Sequence, residues 1–201
     1  LDLGCGTGDL ALALASRFPG IEFTALDISS NNIEVARRRA DECGLEDRIV
    51  FAAADFTQWP GGRFDAILAD SVLHLIPGSD LELARKLALH LEPGAILLTV
   101  MPAACFRNSL LLVQRKLWSM TPQTFDKLAL AAARLVYSAE SEEILADRVG
   151  YMRLLPYRLL SNNVFRTLNE AGLELLTSQK WPSPSIFKLE HHFAVIRRSP
   201  N

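Results

Sequence analysis

The chain has 201 residues, of which 49% are hydrophobic and 22% charged, a composition that suits one buried core and one domain. Its 21 Lys and Arg residues against 23 Asp and Glu residues give a net charge of −2, which provides no positive field for binding nucleic acid. Its longest uncharged apolar stretches, 94–102 and 128–133, are shorter than the roughly 20 residues that span a bilayer, so no membrane span is expected.

Cysteine usage and the start of the chain favour a cytoplasmic location. Cys5, Cys43 and Cys105 are widely separated and form no C-x-x-C pair, so no disulfide framework is expected. No basic segment followed by an apolar run opens the chain, which argues against a secretion signal. The sequence begins without Met and inside a predicted strand, so we expect an upstream segment to precede it.

Short apolar runs alternate with amphipathic stretches over the first hundred residues, the pattern of a parallel sheet flanked by helices. Strands are predicted at residues 1–3, 21–26, 48–53, 64–69 and 95–100. One helix is predicted to present apolar positions 33, 36, 40 and 43 and to end at Gly44. A capping box from Ser79 to Glu82 begins another helix, which is predicted to continue to a turn at Pro93-Gly94.

The alternation stops at Met101-Pro102, and the next sixty residues predict two or three apolar helices separated by Thr121-Pro122 and by 138–141. The pattern returns with a predicted helix at 161–171 and strands at 173–178 and 192–197. We therefore expect a single α/β domain over 1–201, a doubly wound and mostly parallel sheet with a helical insertion, 101–160, after the fifth strand.

A glycine-rich turn, Gly4-Cys5-Gly6-Thr7-Gly8, follows the first predicted strand. Glycine lets the backbone turn sharply and approach a ligand without a side chain in the way. A phosphate-binding loop would need a Gly-Lys-Ser/Thr ending, yet no Lys or Arg occurs before Arg17. A dinucleotide site prefers a third glycine where Asp9 stands. An acid at that position suits a cationic ligand better.

The segment 1–8 resembles the first motif of class I S-adenosylmethionine-dependent methyltransferases, an apolar residue and an acid followed by G-x-G-x-G. The resemblance continues in order through Asp27, the segment 54–56, the fourth strand with its sequel 64–74, and the turn 91–95. It implies a Rossmann-like fold, S-adenosylmethionine as cofactor and methyl transfer to a small molecule. The acceptor atom, whether O, N or C, stays open.

The resemblance also implies roles for individual residues. Asp27 is expected to accept from both ribose hydroxyls, since a carboxylate has two oxygens. Asp2 is expected to support the turn and reach the amino group of the methionine moiety. Asp55 is expected to accept from the adenine amine, and Phe56 either packs on adenine or fills the core. The implied cofactor-binding set is Asp2, Gly4, Cys5, Gly6, Gly8, Asp27, Ile28, Asp55, Phe56 and Ala69.

Histidines near the predicted carboxyl edge of the sheet are the candidates for acid-base chemistry. His74 follows the fourth strand, where ligands bind in open parallel sheets, and is either a general base or a packing residue. His191 and His192 are adjacent in a strand, so one should face inward and one outward, and a joint metal site is not expected. Cys5 is expected to be a small filler within the glycine turn.

The insertion 101–160 is expected to form a helical cap that makes the acceptor pocket together with N-terminal helices, which the family has and this sequence lacks. Its aromatic residues and its excess of Lys and Arg over Asp and Glu favour a partly apolar acceptor that bears a carboxylate; a homodimer surface is the alternative. Two alternatives to a methyltransferase stay open: a nicotinamide-dependent oxidoreductase, and a catalytically silent cofactor-binding domain of a larger assembly.

Overall fold

A computed structural model describes residues 1–136, 145, 149–150, 153–181 and 189–200. The strands within this part of the chain are β1 (Asp2–Leu3), β2 (Phe23–Asp27), β3 (Ile49–Ala53), β4 (Phe64–Asp70), β5 (Leu91–Pro102), β6 (Leu173–Trp181) and β7 (His191–Arg198). The helices whose bounds lie within it are α1 (Asp9–Arg17), α2 (Ser30–Cys43), α3 (Asp80–His90), α4 (Phe106–Ser119), α5 (Thr124–Val136) and α6 (Asn162–Glu170). A 3₁₀ turn, Leu73–Leu75, lies between β4 and α3.

The strands form one sheet in the order β3-β2-β1-β4-β5-β7-β6. The pairs from β3 through β5 are parallel, whereas β7 is antiparallel to both of its neighbours, β5 and β6. The predicted doubly wound, mostly parallel sheet is therefore confirmed. Strand order reverses between β1 and β4, and such a switch point opens a crevice at the carboxyl ends of the strands.

Apolar side chains cover both faces of the sheet. On one face α1 and α2 bury Ala11, Ile33 and Ala36 against β2 and β3. On the other face α3 and α6 bury residues such as Leu87 and Leu168 against β4, β5 and β7. Two-sided cover explains why the central parallel strands are almost continuously apolar in sequence.

The helix boundaries follow local capping signals. The Ser29 hydroxyl accepts from the Asn32 amide at the start of α2, and Gly44 ends that helix with φ +65°. The predicted capping box of Ser79 and Glu82 is present at the start of α3. The Ser161 hydroxyl caps α6 in the same way.

The fifth strand differs from its prediction. It begins at Leu91 rather than at residue 95, so Pro93-Gly94 is an irregularity inside a strand and the predicted turn is wrong. The register between β4 and β5 shifts at this place, because Phe64 pairs with Leu91 but Ala66 pairs with Ile96. Gly94 adopts φ +81°, the left-handed conformation that such a bulge requires.

The insertion begins with two helices, α4 and α5, and Thr121-Pro122 separates them as predicted. The predicted break at 138–141, together with the aromatic residues Tyr137 and Tyr151, lies outside the described residues. Helix α4 is attached to the sheet through Asn108, whose amide donates to the carbonyls of Ala103 and Glu190 at 2.7 Å each. None of the helices in the described ranges is long and apolar enough to cross a membrane.

Candidate functional site

The glycine turn folds back onto the end of β2. The amides of Gly4 and Cys5 both donate to the Leu26 carbonyl, at 2.8 and 2.9 Å. Gly4, Gly6 and Gly8 adopt φ values of +72°, +54° and +84°, which L side chains rarely adopt. The turn thus depends on glycine for its path and places its backbone at the switch point of the sheet.

The three glycines are needed for different reasons. A Cβ on Gly4 would lie 2.4 Å from Val72 Cγ2, and one on Gly8 would lie 3.1 Å from the Ala36 Cβ, so both positions are closed by the protein's own packing. A Cβ on Gly6 would meet no atom within 4 Å. Of the three, Gly6 is therefore the position where a ligand can approach the backbone.

Asp27 ties the turn to the end of β2. Its Oδ2 accepts from the Gly6 amide at 2.8 Å, and its Oδ1 accepts from the Ser29 amide at 2.9 Å and from the Asn32 side chain at 3.4 Å. Each carboxylate oxygen has two lone pairs. The carboxylate, which is partly exposed, can therefore organise the loop and still accept hydrogen bonds from a ligand.

Asp2 lies beneath the turn and is 2% exposed. Burial raises the pKa of Asp2 to about 6, against the effect of a hydrogen bond from the Ala11 backbone; the carboxylates of Asp70 and Asp27 raise it further. Its Oδ2 has no hydrogen-bond partner among the described residues. A buried acceptor without a partner is costly, so this oxygen suits a ligand that brings a donor or a positive charge.

Asp9 does not add a free negative charge at the turn. Its carboxylate lies 2.7 Å from an Arg39 guanidinium nitrogen, and this pairing lowers the pKa of Asp9. A second Arg39 nitrogen donates to the Thr7 carbonyl at 2.9 Å. The sequence shows no basic residue near the turn, but the fold brings Arg39 to it from α2.

The segment after β3 has one exposed acid and one buried ring. Asp55 Oδ1 accepts from both the amide and the hydroxyl of Thr57 at 2.8 Å, so the acid stabilises its own turn. Phe56 is 4% exposed and packs in the core, with its ring centroid 5.4 Å from that of His90. A contact of either residue with adenine stays a prediction. Ile28 beyond β2 is 78% exposed, an apolar surface next to Asp27.

Cys5 and Ala69 lie in the two apolar clusters of the core. Cys5 is buried among α1 and α2 side chains, and this burial raises the pKa of its thiol to about 12, so it is a neutral filler. Ala69 is 1% exposed, and its carbonyl accepts from the Thr99 hydroxyl at 2.9 Å. Any contact these residues make with a cofactor stays a prediction.

The end of β4 carries backbone strain. Ser71 adopts φ +56° and is the only non-glycine residue in the described ranges with a positive φ. Its amide donates to the Val100 carbonyl at 2.9 Å, and its hydroxyl donates to Asp70 Oδ1 at 2.8 Å. Strain of this kind costs on the order of 1–3 kcal/mol and concentrates at functional sites. Here it turns the chain so that Val72 reaches Gly4.

His74 is enclosed, at 1% exposure. Burial is the main cause that lowers the pKa of His74 to about 4, so the ring is neutral at pH 7. Its backbone carbonyl accepts from the Tyr157 amide at 2.8 Å, and its ring centroid lies 6.3 Å from that of His191 in an edge-to-face arrangement. The role of His74 as a base stays a prediction, and its enclosure favours a packing role.

Arg158 holds the loop that contains His74. It is 6% exposed, and its guanidinium donates to the carbonyls of Leu73 and Ile76 at 2.6 Å, to that of Gly78 at 2.8 Å and to Asp80 Oδ1 at 2.8 Å. Sequence reasoning missed this residue because its partners are about eighty positions away and nothing in the local pattern around 158 signals them.

The two histidines of β7 have different partners. His191 is half-buried, and its Nδ1 lies 2.9 Å from the Leu189 carbonyl. His192 Nε2 lies 3.7 Å from Glu190 Oε1, whose carboxylate also contacts Lys180 at 2.6 Å. Across the residues that the structure describes, no group of three His, Cys, Asp or Glu side chains is placed to hold a metal ion.

Comparison with known proteins points to one family. Residues 1–94 match the model of a methyltransferase domain. The release factor glutamine methyltransferase of Chlorobaculum tepidum is 43% identical over 75 residues, 35% of this chain and 26% of that protein. The trans-aconitate 2-methyltransferase of Methylobacterium radiotolerans is 39% identical over 103 residues, 51% of this chain and 37% of that protein. The chain thus spans about a quarter to somewhat more than a third of the length of these relatives.

A solved structure extends the likeness to the whole fold. The magnesium protoporphyrin IX methyltransferase from Synechocystis PCC 6803 with bound S-adenosylhomocysteine aligns with a TM-score of 0.65 at 18% identity, over 98% of this chain and 73% of that one. At this identity the likeness concerns the fold. Taken with the ordered motifs, the methyltransferase match over 1–94 supports a class I S-adenosylmethionine-dependent methyltransferase.

Proposed function

We propose that this chain binds S-adenosylmethionine at the carboxyl edge of β1, β2 and β3 and transfers its methyl group to a small molecule. The observation that carries the proposal is the buried Asp2 carboxylate, whose Oδ2 has no partner among the described residues and which lies beneath a glycine turn open at Gly6. A ligand with an ammonium group satisfies such an oxygen. The bound cofactor supplies a methyl group already activated by a sulfonium.

The protein's part is to bind and orient. Asp27 holds the turn through the Gly6 amide and keeps lone pairs for two ribose hydroxyls. Ile28 offers an exposed apolar surface next to it, and Asp55 lies at the end of the neighbouring strand, so these two residues flank the place we assign to adenine. Gly4, Cys5, Gly8, Phe56 and Ala69 support the site from the core.

The acceptor pocket is assigned to the insertion 101–160. It follows β5 and therefore leaves the sheet at the edge where ligands bind, and α4 is attached there through Asn108. Its helices expose apolar side chains, among them Phe106, Leu110 and Leu117, which suit a partly apolar acceptor. The alternative role of these exposed apolar side chains is to form a homodimer contact.

The names of the relatives favour a small acceptor. Trans-aconitate and magnesium protoporphyrin IX are small molecules, although the release factor enzyme is named for glutamine in a protein. The net charge of −2 gives no general attraction for nucleic acid. We accordingly propose a small-molecule acceptor and a cytoplasmic enzyme.

Calorimetric titration with S-adenosylhomocysteine and, separately, with NAD tests the cofactor assignment. We expect binding of the first and no heat with the second. Binding of NAD without any response to S-adenosylhomocysteine would favour the oxidoreductase alternative and contradict the proposal. A cofactor-binding protein that transfers no tritium-labelled methyl group to any component of a cell extract would instead be the silent domain.

A further inference from the structure

His191 begins β7 at the edge of the sheet where the cofactor is assigned. It pairs with Pro102 at the carboxyl end of β5, because β7 runs antiparallel to that strand. Asp70, Val100 and Phe193 form a row of paired positions across β4, β5 and β7, and paired positions share a face of the sheet. His191 lies two positions from Phe193, so it shares the face of Asp70.

Asp70 connects His191 to the cofactor side of the site. Its carboxylate raises the pKa of Asp2 beneath the glycine turn, and it also acts to raise the pKa of His191. One acid at the end of β4 is thus the electrostatic neighbour of both groups. The ring of His191 also lies 6.3 Å from that of His74 in the loop after β4, so it faces the β4 side of the crevice where the methyl group must lie.

The ring of His191 has the tautomer that a base needs. A carbonyl can only accept a hydrogen bond, so the 2.9 Å contact with the Leu189 carbonyl places the proton on Nδ1. The lone pair is then on Nε2. The side chain is half-buried, and burial lowers the pKa of His191 below its ordinary value, so the ring is neutral at pH 7. Arg115 acts in the same direction.

His74 is less suited to this role, although it lies close by. His74 is 1% exposed and its ring packs edge-to-face against that of His191, whereas His191 is only half-buried. A general base must reach the proton that it removes. Of the two histidines, His191 is therefore the one that an acceptor can reach more easily.

We propose that His191 is the general base for a hydroxyl acceptor, an assignment that rests on the proposed methyl transfer. The acceptor oxygen forms its bond to the methyl carbon while the carbon–sulfur bond breaks, and the bonding electron pair stays on sulfur as a neutral thioether. The hydroxyl proton moves to His191 Nε2, and the resulting imidazolium later releases it to water. No oxidant, metal or further reactant is needed.

NMR of the histidine rings in the unmodified chain tests the role of His191, and the experiment does not require the acceptor to be identified. The sequence has four histidines, so replacing His74, His191 and His192 singly by Gln assigns the ring signals. Long-range ¹⁵N–¹H spectra show which ring nitrogen carries the proton. Titrations are then compared with saturating S-adenosylhomocysteine, which has a neutral thioether, and with S-adenosylmethionine, which has a positive sulfonium at the same place.

We expect the Nδ1-protonated tautomer at His191 and a pKa that is lower by about half a unit or more with S-adenosylmethionine than with S-adenosylhomocysteine, because a positive charge near the ring opposes its protonation. His192 is the internal control and should shift less than half as much, since it faces the other side of the sheet.

Two results would overturn the assignment, and they differ from a failure of the proposed function. If both ligands bind but the pKa of His191 is the same in the two complexes, the ring is remote from the sulfur. If its proton is on Nε2, it cannot accept another there. If neither ligand binds, the cofactor assignment is wrong, and the role of His191 is rejected with it.

Discussion

Gly4 and Val72 are packed so closely that no further carbon fits between them: a Cβ on Gly4 would lie 2.4 Å from Val72 Cγ2 and 2.6 Å from its Cβ. Gly4 belongs to the turn after β1, and Val72 belongs to the loop after β4. The contact therefore joins the cofactor side of the switch point to the loop that carries His74. It makes the shape of each loop depend on the other.

Replacing Gly4 by Ala should destabilise the fold. The new methyl group meets Val72 at a position with φ +72°, so backbone strain and overpacking together should lower the free energy of unfolding by about 2–4 kcal/mol. Gly6→Ala is the matched control, because its φ is also positive but the space around it is open, and about 1 kcal/mol is expected there. Urea denaturation measures both. Equal losses in the two variants would show that the contact with Val72 is unimportant.

Asp27→Ala should weaken binding of S-adenosylhomocysteine at least about tenfold, because it removes the charge-assisted hydrogen bonds that we propose to the ligand and the acceptor of the Gly6 amide. Asp41→Ala on the exposed side of α2 is the control of equal charge change. Calorimetry gives the dissociation constants, and circular dichroism checks that both variants are folded. An affinity like that of the control would exclude Asp27 from the site.

Binding of S-adenosylhomocysteine should lose affinity as the pH falls through 6. Burial raises the pKa of Asp2 to about 6, so below that pH the free protein holds a neutral acid that no longer attracts the ligand's ammonium group. Above pH 7 the carboxylate is charged and the affinity should level off. With one proton linked to binding, we expect about tenfold weaker binding at pH 5 than at pH 8. Asp2→Asn should bind weakly at every pH; a pH dependence preserved in that variant would assign the effect to another group.

Arg158→Met should weaken S-adenosylhomocysteine binding although Arg158 is not assigned to the cofactor site. Without its guanidinium the carbonyls of Leu73 and Ile76 lose their buried donor, and the loop that presses Val72 onto Gly4 loosens. We expect a loss of about 3–5 kcal/mol of stability and about threefold or more in affinity. Calorimetry under conditions where the variant is folded measures the second effect.

Arg153→Met is the matched control for that experiment. Arg153 is also an arginine of the insertion with several partners, but it binds Asp126 and carbonyls at the junction of α4 and α5, such as that of Thr121. Its loss should loosen the helical hairpin and leave cofactor affinity unchanged. If both variants lose affinity equally, general destabilisation and not the His74 loop is the cause.

The sequence predicted the sheet well because its signals are local. Apolar runs located every strand to within about four residues, and the Ser79–Glu82 capping box and Gly44 marked helix ends that the structure confirms. The start of β5 was predicted wrongly, since Pro93-Gly94 has the composition of a turn but is accommodated as a bulge inside the strand. Only the pairing with β4, a long-range contact, decides between the two.

The candidate site was less predictable, because it too depends on long-range contacts. The family motif pointed to Asp2 and Asp27 because each of these acids stands next to a strand or turn that can be recognised from the neighbouring sequence. Arg39 and Arg158 act through contacts with residues 32 and about 80 positions away, and no sequence pattern marks their partners. The burial of His74, which lowers its pKa, likewise involves residues far away in the sequence, such as Tyr157 and His191.

The position of β7 has a consequence for how the sheet can assemble. β7 lies between β5 and β6 and, among the described residues, supplies all of the strand pairing of β6. Until residues 191–198 have been synthesised, β6 lacks the strand with which it pairs and β5 has an open edge. The parallel strands end at Pro102, about ninety residues before β7 begins, so the eight residues of β7 are the last part needed to complete the sheet.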